Sequence, residues 1–113
     1  MATNNKKKLP PIHPGEILRE RLLIPLDISP QELATALKVP KEQIKWVCEE
    51  RADITPDLAA RLSLYFNSTV EFWLNLQRSY EEEVARERTE LLKEEIIPYK
   101  AKRGNSKYAV ANH

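Results

Sequence analysis

Glycine is almost missing from this 113-residue chain, with two in all, Gly15 and Gly104. That excludes a glycine-rich loop of the kind that cradles phosphates, and it removes the usual residue for turns of positive φ. There is one cysteine, Cys48. An internal disulfide framework is excluded, and a reducing cytoplasm is the expected compartment. The two histidines, His13 and His113, have no second histidine or cysteine at metal-ligand spacing, so neither metal nor cofactor is expected. No Ser/His/Asp or Cys/His arrangement suggests nucleophilic catalysis, and the chain does not read as an enzyme. No apolar run approaches bilayer length. The basic start MATNNKKK runs into LPPIHPGE where a signal peptide would carry its apolar core. The formal net charge is +1, so any nucleic-acid surface has to be local.

Charge itself is plentiful, at 31% of residues, beside 42% hydrophobic. This is the balance of a folded domain with solvated faces, and the length allows one modest core. Four of the eight prolines, Pro14, Pro30, Pro40 and Pro56, fall where helices can begin. Pro14 fits a first helical position, with His13 at the cap and Glu16 in the first turn. The apolar spacing of EILRERLL follows, and the helix is expected to break before Pro25. SPQELATAL supplies Ser29 as cap, Pro30 behind it and Glu32 to complete a capping box. Leu33, Ala34 and Leu37 form its inner face. Pro40 is expected to start a third helix, PKEQIKWVCEER. Thr55, Pro56 and Asp57 start a fourth, with Leu58, Leu62 and Phe66 on one stripe. Ser68 and Glu71 read as a second capping box opening a fifth, long helix that Pro98 should stop. No strand alternation competes, so the expected fold class is all-α. Residues 1–11 read as a flexible basic arm, 12–80 as the main domain, 81–97 as a helical extension and 98–113 as a flexible tail.

Only LKVPK separates the second helix from the third, which is the spacing of a helix-turn-helix. On a helical wheel Ile44, Val47, Cys48 and Arg51 face the core, while Glu42, Lys45, Trp46 and Glu49 face outward. Lys41 and Lys45 are the leading DNA contacts, because the first half of this helix approaches base edges and lysine reaches phosphate or guanine O6 and N7. Gln43 lies nearer the side, and Gln31 is placed to meet phosphate from the preceding helix. Glu42 either accepts from cytosine N4 or simply favours the positive end of the helix dipole. Trp46 packs either on DNA or on a neighbouring loop. Glu49 and Glu50 lie at the far end, where Arg51 offsets them. In VEFWLNLQRSY, the stripe Phe72, Trp73, Leu76 and Tyr80 has to close the core in part; the remainder is the candidate dimer interface.

HPGEIL (His13–Leu18), SPQELATAL (Ser29–Leu37), RADITPDLAARLSLYFNSTVEFWLNLQ (Arg51–Gln77) and SYEEEVA together resemble the HigA/VapI group of antitoxins, over about Ile12 to Arg86. That group belongs to the Xre/Cro-like, lambda-repressor-like helix-turn-helix class. The resemblance implies a five-helix domain, a homodimer that represses its own promoter by binding double-stranded operator DNA, and a partner toxin of the HigB/RelE type that cleaves mRNA. Two other readings stay open: a toxin-binding module with weakened DNA reading, and a solitary regulator. Three positions depart from the pattern. Pro30 stands where the group has glutamine, Lys38 takes the place of the turn glycine, and Glu49-Glu50-Arg51 that of a glycine-closed basic end. A left-handed backbone is therefore expected at Lys38, costing about 1 kcal/mol.

Overall fold

The computed structural model describes residues 9–100. Its five helices follow from local sequence almost one cap at a time. The first, α1, is built of three consecutive segments: an α-helical turn Pro14–Ile17, a π-helical stretch Leu18–Leu23 and a last α-helical turn Ile24–Leu26. Helix α2 is Pro30–Leu37, α3 Lys41–Cys48, α4 Pro56–Phe66 and α5 Val70–Leu92. The architecture is the all-α, five-helix one expected.

His13 caps α1 as anticipated, its Nδ1 accepting from the Gly15 N–H at 2.8 Å. The break before Pro25 does not occur. The Ile24 N–H bonds back to the Arg19 carbonyl, five residues away. This wider turn makes room ahead of the proline ring, which in a regular α-helix presses on the carbonyl four residues back. The chain turns away at Asp27 instead.

The Ser29–Glu32 capping box is complete, with bonds of 3.0 and 2.8 Å in the two directions. Pro40 is the cap of α3 rather than its first residue, with an extended ψ of 142°. Thr55 caps α4 through the Leu58 N–H at 3.1 Å. At α5 the expected capping box does not form, and the cap lies one residue later. Thr69 is the cap and accepts from the Phe72 N–H. The Ser68 hydroxyl accepts instead from the indole N–H of Trp73 at 2.9 Å, because a buried indole needs an acceptor more than an exposed helix start does. Helix α5 ends at Leu92, six residues short of Pro98. Glu94 and Glu95 lie there against the negative end of the dipole, with nothing packed on them to offset it.

Helices α1 to α4 all close on left-handed residues that are not glycine: Asp27, Lys38, Glu50 and Asn67, with φ between 57° and 64°. Asp and Asn tolerate this conformation; Lys and Glu do so at a cost of about 1 kcal/mol. The two costly ones flank α3. At the turn the Val39 N–H reaches the Ala34 carbonyl (3.1 Å), and past α3 the Arg51 N–H reaches that of Trp46 (2.8 Å), so both ends are satisfied by bonds that wrap the helix terminus.

The core gathers one stripe from each helix: Leu18, Leu33, Ile44, Leu58, Leu62 and Trp73 are fully enclosed. The first half of α5 lies on α4 and α1. Arg51, assigned inward by the wheel, is exposed: α3 has ended at Cys48 and the chain has turned outward at Glu50.

Candidate nucleic-acid interface

The outer face of α3 divides at its middle. Lys41, Glu42 and Lys45 are exposed. With Ser29, Pro30 and Gln31 from the start of α2 they line a shallow groove of about 480 Å³. The structure thus brings together four of the six expected DNA contacts, Gln31, Lys41, Glu42 and Lys45. Gln43 and Trp46 do not line that groove. Gln43 is half-buried on the flank. Trp46 points outward with 45% of its surface open, so local packing covers only part of the indole. Two ammonium groups against one carboxylate leave the groove with a small positive excess.

The other end of α3 is fastened. The Arg19 guanidinium, from the π-helical stretch, donates to the Cys48 carbonyl and pairs with Glu50 at 3.3 Å and Glu20 at 2.9 Å. Glu49 pairs with Arg51 at 3.3 Å. The two glutamates that look wrong for a DNA-reading helix are therefore engaged in closing it. A Cβ built on Gly15 would stand 1.8 Å from the Val47 carbonyl oxygen, so α1 can touch α3 this closely only through a glycine. His13 is buried beside this contact, its ring edge-on to Tyr80 at 4.8 Å. Burial holds its imidazole below the ordinary range, while the carboxylates of Glu50 and Asp53 and the Ala52 backbone pull the other way.

Two further supports were not singled out in the sequence. Arg61 bonds the Leu37 carbonyl at 2.9 Å and Asp57 at 2.8 Å, tying the end of α2 to α4 beside the left-handed Lys38. Gln77 is buried; it accepts from the Ile54 N–H at 2.8 Å and donates to Glu81 at 2.9 Å. The signal for both was a polar side chain inside an apolar-periodic segment. Cys48 is buried as expected, and burial pushes its thiol up, away from the reactive thiolate.

Of the candidate dimer residues, Trp73 requires correction. It is 0% exposed and bonded to Ser68, so it belongs wholly to the core and has no surface to offer a partner. Phe72 is exposed, while Leu76 and Tyr80 are half-buried. The last two border a groove of about 820 Å³ between the segment Leu9–Ile12 and α5.

No family model matches the chain. Individual relatives do. Virulence-associated protein I of Dichelobacter nodosus is 44% identical over 80 residues, 71% of this chain and 74% of that protein. Antitoxin HigA-1 of Vibrio cholerae is 31% identical over 74 residues, 66% of this chain and 70% of its own length. Among solved structures, the Pseudomonas aeruginosa antitoxin HigA with the higBA promoter is 42% identical, with a TM-score of 0.71 over 80% of this chain and 99% of that one. The chain belongs to the HigA family of antitoxins. Its fold is the Xre-like helix-turn-helix fold of that family. The HigA-like part accounts for about four-fifths of this chain, and nearly all of the Pseudomonas protein is used in the match. Among the described residues, no helix is long and apolar enough to cross a membrane, and no group of three metal-ligating side chains comes together. Two of these three relatives are antitoxins by name, and further relatives are helix-turn-helix transcriptional regulators.

Proposed function

We propose that this HigA-family chain is a cytoplasmic antitoxin that represses its own promoter as a homodimer and neutralises a HigB/RelE-like, mRNA-cleaving toxin. The carrying observation is the groove that collects Gln31 from α2 with Lys41 and Lys45 on the open half of α3. Its relative from Pseudomonas aeruginosa was solved with promoter DNA. Lys41 and Lys45 serve phosphate or guanine, Gln31 serves phosphate, Glu42 accepts from cytosine N4 and Gln43 reads from the flank. Trp46 lies on a thymine methyl or the sugar-phosphate edge. A two-fold dimer sets its two copies of α3 about 34 Å apart, one in each of two successive major grooves of a palindromic operator. Phe72, Leu76 and Tyr80 are the dimer contacts of this reading.

Footprinting of the purified protein on its own promoter tests it. Protection of a palindrome, lost on Lys41→Glu with Lys45→Glu while toxin binding persists, is the expected result. An equal affinity for random duplex at low salt would overturn the repressor half. A second reading, a toxin-binding module with weak DNA reading, draws on Glu42. This carboxylate lines the same groove and cancels half of its positive charge. It predicts retardation that vanishes at modest salt and toxin affinity that does not. A solitary regulator would lack a short basic reading frame beside its gene.

A further inference from the structure

Past Tyr80, α5 runs out from the core: Glu83 and Arg86 still line the groove beside Leu9–Ile12, and beyond them the helix projects. From Glu81 to Lys100 no side chain is buried, and only Glu83 and Leu92 are even half-covered. Glu81 to Leu92 continues as helix for twelve residues, about 18 Å at a rise of roughly 1.5 Å per residue. The packed first half nucleates this stretch, but among the described residues no tertiary contact supports its far end. Val84 and Leu91, two turns apart, lie on one face, 41% and 66% exposed. Helical spacing puts Glu81, Glu87 and Arg88 around them, and Glu94 and Glu95 follow in the turn past Leu92.

The charge is lopsided. Residues 81–95 hold seven carboxylates against three basic side chains, a net −4, which leaves +5 on the rest of the chain. A second copy laid alongside would bring together two segments that each carry a net −4, and like charges in a partly dry contact repel. Duplex DNA would be repelled in the same way. The face suits a partner that is cationic and has apolar spots between its charges.

The antitoxin reading supplies a partner of that chemistry. An enzyme that grips mRNA does so through lysines and arginines arranged for phosphates. We infer that the projecting half of α5 is the toxin-docking element. Its carboxylates take the positions of RNA phosphates on the toxin's cationic surface, and Val84 and Leu91 supply the apolar anchors. This rests on the antitoxin reading above. It adds the surface, and a reason for inhibition: the toxin cannot hold RNA while holding this helix.

Titration calorimetry of the full-length chain with the product of the adjacent toxin gene, at two salt concentrations, tests it. The variants are Glu87→Lys with Glu94→Lys, and separately Leu91→Ala. Their helicity is checked by circular dichroism, their operator binding by gel retardation and their oligomeric state by sedimentation. The charge-reversed pair should weaken toxin binding more than tenfold and flatten its salt dependence. Leu91→Ala should weaken it severalfold. Operator binding, helicity and oligomeric state should stay as in the wild type. Unchanged toxin affinity in both variants would overturn the docking assignment and leave the antitoxin reading standing. A changed oligomeric state, or operator binding lost in step with toxin binding, would also overturn it by making the face a self-association surface. A wild-type chain that binds no toxin would overturn both.

Discussion

The two ends of α3 are built on opposite principles. At its start, Lys41, Glu42 and Lys45 are exposed, and the cap is a proline with no side-chain bond to offer. At its finish, Gly15, Arg19 and the left-handed Glu50 hold the backbone in place. A helix that must fit a groove needs its direction fixed, and the fixing groups must not stand in that groove. Fastening the far end meets both needs. The difference also explains the glutamates, which belong to the fastening and not to the reading surface.

The contrast can be broken most severely at Gly15. An alanine there drives its methyl into the Val47 carbonyl, a backbone group that cannot swing aside. A loss of about 3 kcal/mol or more is expected, read as a lower urea midpoint. Arg19→Ala comes next. It removes the donor to the Cys48 carbonyl and the partner of Glu50, for roughly 1–2 kcal/mol by the same measurement, and operator affinity falls with it because α3 loses its angle. Lys38→Gly should go the other way, raising stability by about 1 kcal/mol, since glycine takes the left-handed turn without penalty.

A pH titration of stability reads the fastened end through His13. Burial lowers the folded-state pKa, so the unfolded chain takes up the proton first as pH falls. Stability is whole above the ordinary value of 6.5 and declines below it until the folded pKa is passed. His13→Asn keeps a capping side chain and should flatten that slope. Smallest of all is Lys45→Ala at the open end: stability should stay within about 0.5 kcal/mol of the wild type, while the salt dependence of operator binding drops by about one counterion.

The sequence told most where the signal was local. Ser29 with Glu32, Thr55 and His13 mark their helix starts because a cap acts within three residues. The periodic leucines identify the core, and the short LKVPK linker identifies the turn. It told less where the deciding partner is distant. Nothing in HPGEIL states that Gly15 meets Val47, and nothing in LRERLL states that Arg19 reaches Cys48 and Glu50. The wheel misassigned Arg51 because it assumed a helix that continues, and a left-handed Glu50 ends it. For the stripe Phe72, Trp73, Leu76 and Tyr80, period alone marks an apolar face, and only tertiary packing puts Trp73 entirely inside. The lysines of the reading face were legible because exposure on an amphipathic helix follows from period alone.

Fastening α3 at one end has a consequence for how such a protein diversifies. Residues 41, 42 and 45 carry none of the contacts that set the helix's direction. They can be exchanged as a group while the scaffold keeps its shape and its heat tolerance. A duplicated copy of this gene could therefore acquire a new operator in a few substitutions and stop cross-regulating its sibling, without passing through an unfolded ancestor.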